Sequence, residues 1–147
     1  MATRCQIALY SETPTTKDEV LGKWDVLLYH HWDGYPSYML KLLRDWLAYF
    51  KQERGLWESD YLGAYLMYHW KKTESENRED KWISLCTSHG IDKDFHADIE
   101  YLYCISAKEI NVYRTNFWDE KNMMLLIKYT IDELLVMSDP VIEDIKF

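Results

Sequence analysis

Residues 4–10 alternate, with Cys5, Ile7 and Leu9 on one face and Arg4, Gln6 and Tyr10 on the other. A period of two predicts a strand. Residues 11–17 form a polar turn around Pro14, a residue that a central strand would not tolerate. Alternation returns over residues 24–32. Trp24, Val26, Leu28, His30 and Trp32 face one way, and Asp25, Leu27, Tyr29 and His31 the other. Both faces are mostly apolar, which predicts a central strand covered at least in part on both sides. It is expected to pair with the first strand as a long-looped hairpin. Asp33-Gly34-Tyr35-Pro36 breaks the pattern, and Pro36 suits a first helical turn. From Ser37 the period becomes 3.6. Met39, Leu42, Leu43, Trp46, Leu47 and Phe50 make one stripe, which ends at Gly55. A second helix is predicted from about Asp60, with Ser59 as N-cap and a stripe of Leu62, Tyr65, Leu66, His69 and Trp70. It runs into the charged segment 71–81, read as a solvated helix end or loop.

Residues 81–87 alternate again, and residues 88–97 read as a loop around Gly90. A strong strand is predicted over 98–106, a tight connection at Ala107-Lys108, and a returning strand over 109–115. Residues 123–128 read as a further strand, because Thr130-Ile131-Asp132-Glu133 is a capping box that starts a helix after it. Leu134 and Leu135 are expected to face inward. Asp139-Pro140 is read as the end of that helix, followed by an extended tail. The order is β-β-α-α-β-β-β-β-α. Strands grouped apart from helices predict an α+β fold, an antiparallel sheet of about five or six strands packed against two main helices. Residues 1–147 read as a single domain.

Composition adds three constraints. The chain is 48% hydrophobic and 29% charged, a globular balance. Seven Trp, twelve Tyr and four Phe are more rings than a small core readily takes. One reading puts several in a groove or at a subunit interface; the plainer and preferred one is an aromatic-rich core with a few exposed tyrosines. The net charge of −8, with no basic cluster beyond pairs such as Lys71-Lys72, argues against generic nucleic-acid binding. A local basic pocket for a small phosphate ligand stays open. Cys5, Cys86 and Cys104 are odd in number and lack C-x-x-C spacing, and no secretory apolar segment precedes them. They read as reduced cysteines of a cytoplasmic protein. No apolar run approaches the roughly 20 residues that span a bilayer.

The segment His30-His31-Trp32-Asp33-Gly34-Tyr35-Pro36 gathers imidazoles, a carboxylate and large rings where a strand meets a helix. His30 and His31 point to opposite faces. Asp33 is expected to share the face of His31, where a His–Asp pair would orient a general base. Amide groups at the start of the next helix would receive an anion. The structural alternative is that Asp33 caps the turn, Trp32 and Tyr35 plug the core, and each histidine bonds backbone. Arg4 and Arg114 lie on strands with apolar alternate residues and would hold a flat anionic ligand by stacking, or simply sit at the surface. His89, Asp92, Asp94, His96 and Asp98 share a loop but match no standard zinc spacing, so no metal is assigned. Ser84, Cys86, Ser88 and His89 lack a Gly-x-Ser-x-Gly elbow, and the chain has no glycine-rich phosphate loop, so no cofactor is assigned.

The opening Met1-Ala2-Thr3-Arg4 with its strand, and then His31-Trp32-Asp33-Gly34-Tyr35-Pro36, resemble a family of small uncharacterised phage and prokaryotic proteins. Ile99-Glu100-Tyr101-Leu102-Tyr103, Leu126-Ile127 and Ile131-Asp132-Glu133-Leu134 are similar too. The chain departs from the shorter members in its long helix over 60–80. The resemblance implies a shared fold and carries no mechanism. Two functions follow. The preferred one is a non-enzymatic binding module with an aromatic-rich surface for a partner protein, a second copy or a flat small ligand such as a nucleotide. The alternative is a small hydrolase or nucleotide-processing enzyme using His31 and Asp33, with His30, Tyr35, Arg4 and Arg114 as further ligand-binding candidates.

Overall fold

The computed structural model describes residues 3–54, 58–76, 88–116, 119 and 122–145. Strand β1 (Cys5–Leu9) leads through helix α1 (Lys17–Gly22) to β2 (Val26–His30). Two long helices follow, α2 (Pro36–Arg54) and α3 (Ser59–Glu76). Then come β3 (His89–Ile91), β4 (Tyr101–Ile105), β5 (Glu109–Arg114) and β6 (Met124–Thr130), and two short helices, α4 (Ile131–Leu135) and α5 (Asp139–Glu143). The fold is α+β. Its six strands lie in the order β3-β2-β1-β4-β5-β6.

Every residue of β1 is buried, because both edges and both faces of the strand are covered. It pairs antiparallel with β2, as Ile7 opposite Leu28 shows, and parallel with β4, as Ile7 opposite Tyr103 shows. The sheet is therefore mixed, which corrects the expectation of a purely antiparallel one. Alternation fixes which face a side chain takes, and says nothing about strand direction.

One sheet face carries the larger core. Cys5, Ile7, Leu9, Leu28, Tyr103, Ile105, Ile110 and Val112 pack there against Met39, Leu43 and Leu47 of α2 and Leu62, Leu66 and Trp70 of α3. Gly63 lets α3 approach β2, since a Cβ there would stand 2.9 Å from Val26 Cγ1. The other face buries Ala8, Tyr10, Leu27, Leu102 and Cys104 beneath Val20 of α1 and the 92–99 segment. Covering both faces is what the two apolar sides of residues 24–32 require. No helix among the described residues is long and apolar enough to cross a membrane.

Three local expectations change. Residues 89–91 form an edge strand on β2 rather than a loop, held by backbone pairing despite only one apolar side chain, Ile91. Residues 17–22, of which the sequence pattern assigns only Lys17, to the polar turn, are a helix whose cap is the Thr16 hydroxyl on the Glu19 amide. Asp139-Pro140 opens a helix instead of closing one, because proline fits the first turn where its missing N–H costs nothing. The strand expected over 81–87 lies outside the described residues. At residue 130 the expected capping box is complete, with the Thr130 hydroxyl taking the Glu133 amide and the Glu133 carboxylate taking the Thr130 amide. Thr130→Ala is expected to cost about 1 kcal/mol in urea denaturation, with the denaturant dependence unchanged; an unchanged midpoint would contradict the cap's contribution.

Candidate functional site

Four hydrogen bonds tie down the 30–36 turn. The His31 amide donates to the Ser88 carbonyl at 2.9 Å, and Trp32 Nε1 donates to Ser88 Oγ at 3.1 Å. The Gly34 amide donates to the Thr3 carbonyl at 2.8 Å, and the Tyr103 hydroxyl donates to the Gly34 carbonyl at 2.7 Å. A Cβ on Gly34 would lie 2.8 Å from the Thr3 oxygen and 2.9 Å from Cys5 Sγ, so no side chain fits. Asp33 is exposed in the left-handed region at φ 54°, which ends the strand and its alternation. His31 consequently bonds Tyr29, its Nδ1 lying 2.8 Å from the Tyr29 hydroxyl, and no His31–Asp33 hydrogen bond forms. Tyr35 is 40% exposed and meets Tyr38 ring to ring. The segment that looks most reactive in the sequence is a clasp joining β1, β2, β4 and α2.

His30 points to the helix side and is fully buried. Its Nδ1 lies 2.6 Å from His89 Nε2, across the β2–β3 pair, and both rings pack against Trp70. One hydrogen serves that contact. His30 Nε2 and His89 Nδ1 have no hydrogen-bond partner among the described residues. Burial disfavours a charged imidazole, so both titrate below the ordinary value of 6.5, His30 at about 4.

On the opposite face a polar cluster surrounds Tyr29. The His96 ring stacks on Tyr29 at 4.7 Å, and His96 Nε2 lies 3.1 Å from Asp92. Gln6 donates to the other Asp92 oxygen at 2.6 Å, and Arg4 lies 3.4 Å from Asp98. Burial, then the Arg4 charge, hold His31 below its usual value. The Arg4 charge therefore reaches His31. Arg4 faces Asp98 and His96 faces Asp92 in this cluster. Arg114 lies elsewhere, 5.0 Å over the Tyr101 ring and facing Glu100. Among the described residues no three His, Cys, Asp or Glu side chains gather as a metal site.

The outer side of α2 and α3 carries a connected run of rings. Trp46 meets His69 at 5.5 Å, His69 meets Tyr65 at 4.3 Å, and Tyr65 stacks on Tyr49 at 6.1 Å and 12°. Tyr68 adds to His69 at 5.2 Å. One turn earlier, the Arg54 guanidinium lies 3.7 Å over the Tyr61 ring. Tyr49, Tyr61 and Tyr68 are 56%, 52% and 59% exposed. Trp46, Tyr65 and His69 belong to the helical stripes but stay half-buried, since they sit at the outer seam between the helices. The sequence stripes pass over Tyr49, Tyr61 and Tyr68. The available signal was the surplus of rings at positions off the stripes.

Comparison with protein-family models, curated proteins and solved structures gives no match to this chain.

The buried histidine pair has a pH signature. The unfolded chain takes protons near pH 6.5 while the folded imidazoles resist them, so stability is full above that pH and falls as pH drops toward 4. Between pH 7 and pH 5 the loss is expected to be roughly 2 kcal/mol for each buried histidine, and His30→Gln should flatten part of the slope. Urea denaturation at the two pH values checks this, and equal stability at both would contradict it.

Proposed function

We propose that the chain is a non-enzymatic binding module whose α2–α3 aromatic face docks a partner protein through that protein's basic side chains. The observation that carries the reading is the continuous set Trp46, Tyr49, Tyr65, Tyr68 and His69, with three tyrosines of the two helices more than half exposed. Tyr and Trp supply large contact area with few rotatable bonds and a polar tip, which is why interface centres favour them. Ring faces attract cations, and a chain of net charge −8 steers a basic partner toward itself. The Arg54–Tyr61 stack within the chain is an example of the contact the partner would make. A second copy would bring the same charge of −8, so a homo-oligomer fits this face less well.

The enzymatic alternative, a hydrolase or nucleotide-processing activity using His31 and Asp33, has less support, since His31 bonds Tyr29 and Asp33 faces solvent. What supports it is His31 beside Tyr29, within reach of the Arg4 charge. The family of small phage and prokaryotic proteins stays part of the proposal as a source of fold.

Binding to an array of immobilised peptides, graded from acidic to arginine- and lysine-rich, tests the reading. The chain is expected to hold the basic peptides, and Tyr49→Ala with Tyr68→Ala to weaken that about tenfold, the scale of an interface hot spot. Both side chains are exposed, so the unfolding midpoint should not move. Retention that ignores both substitutions, preference for acidic peptides, or a dimer mass abolished by Tyr49→Ala would each overturn it.

A further inference from the structure

A second concave site lies on the sheet face away from α2 and α3. Beyond α1, among the described residues, a cleft of about 500 Å³ forms between β5, β6 and residues 13–17. This is within the range of roughly 300–1,000 Å³ usual for small-molecule sites. Glu109, Asn111 and Tyr113 of β5 and Leu125 and Lys128 of β6 make its floor. The irregularity between Val112 and Tyr113 shifts the register there, leaving Asn111 opposite Lys128 and Tyr113 opposite Leu125.

Asn111 is the anomaly. It is 5% exposed in the middle of a strand whose other interior positions are apolar. Its amide donates to Glu109 Oε1 at 3.1 Å, and Lys128 Nζ lies 3.7 Å from Glu109 Oε2. The Asn111 side-chain carbonyl has no hydrogen-bond partner among the described residues. Leaving such an acceptor unsatisfied costs about 1–3 kcal/mol, and of the unpartnered buried atoms this one belongs to a residue that lines the cleft.

We propose that this cleft binds a neutral polyhydroxylated ligand of monosaccharide to disaccharide size. The lining holds acceptors, the Glu109 carboxylate and the Asn111 carbonyl just beneath the surface, and donors, the Lys128 ammonium and the Tyr113 hydroxyl. Each sugar hydroxyl both donates and accepts, so neighbouring hydroxyls match both kinds of group. The Tyr113 ring and Leu125 offer the apolar surface on which the C–H face of a sugar ring packs. Lys17 also lines the cleft, but a simple anion fits worse, because the Glu109 carboxylate and the Asn111 carbonyl accept hydrogen bonds and an anion has none to donate. An apolar ligand would leave Asn111 and Glu109 without partners.

Saturation-transfer NMR on the full chain with glucose, galactose, N-acetylglucosamine and maltose, and with inorganic phosphate followed separately by its phosphorus resonance, tests the site. Transfer to at least one sugar is expected, with Asn111→Leu, near in volume, and Lys128→Ala, on an exposed residue, each weakening it about tenfold. Tyr49→Ala should leave it unchanged, which separates this site from the helical face. Circular dichroism checks that the variants fold, and Lys128→Ala serves if Asn111→Leu does not. No transfer to any of the four sugars, transfer unaffected by Lys128→Ala, or binding of phosphate alone would overturn the proposal.

Discussion

The fold depends on burying β1 from all sides. Its five residues have no exposed member, and both edges are taken by neighbouring strands. A strand in that position needs apolar side chains on both faces and a cover over each. Helices α2 and α3 supply one cover, and α1 with the 92–99 segment supplies the other. Gln6 is the exception on β1, and it is satisfied by Asp92, by the Asp94 carbonyl and by the His96 amide. The need to cover the second face therefore also assembles the polar cluster around Tyr29.

The same constraint explains the 30–36 turn. The chain leaves β2 beside the start of β1 and must enter α2 over the core. Gly34 passes against Thr3 and Cys5 at distances that exclude a Cβ, and Tyr103 from β4 fastens it. Imidazoles, a carboxylate and rings close together in sequence are there spread over different surroundings. His30 goes into the core, His31 to Tyr29, and Asp33 to solvent. Two surfaces remain unabsorbed by the architecture, the ring-rich outer side of α2–α3 and the cleft over β5–β6. Both sets of side chains exceed what the core demands.

Legibility in the sequence followed the strength of local periodicity. β1, β2, β4, β5, β6 and the two long helices were readable because each repeats its pattern over five or more residues. The capping box at Thr130 marked α4 by mechanism, and Thr16-Lys17-Asp18-Glu19 carries the same Ser/Thr-x-x-Glu signal for α1, masked by the Pro14 turn. β3 had no periodic signal, since Gly90 lacks a side chain and Ile91 is 73% exposed; only the ladder to β2 makes it a strand. The direction of β4 against β1 is set by long-range closure, which no local pattern encodes. For the sites, face parity misplaced Asp33 because a left-handed residue interrupts the strand. Asn111 stood within a strand pattern where a buried polar residue reads like any outward-facing one.

Whether the His-Trp-Asp-Gly-Tyr turn is built into the core scaffold is tested most directly by native-state hydrogen exchange at the Gly34 and His31 amides. Both donate to backbone carbonyls at the edge of the core. As parts of the clasp they should exchange as slowly as the β1 amides and only through global unfolding. Exchange at the rate of exposed loop amides would mean that the turn opens independently of the fold, and would contradict the account.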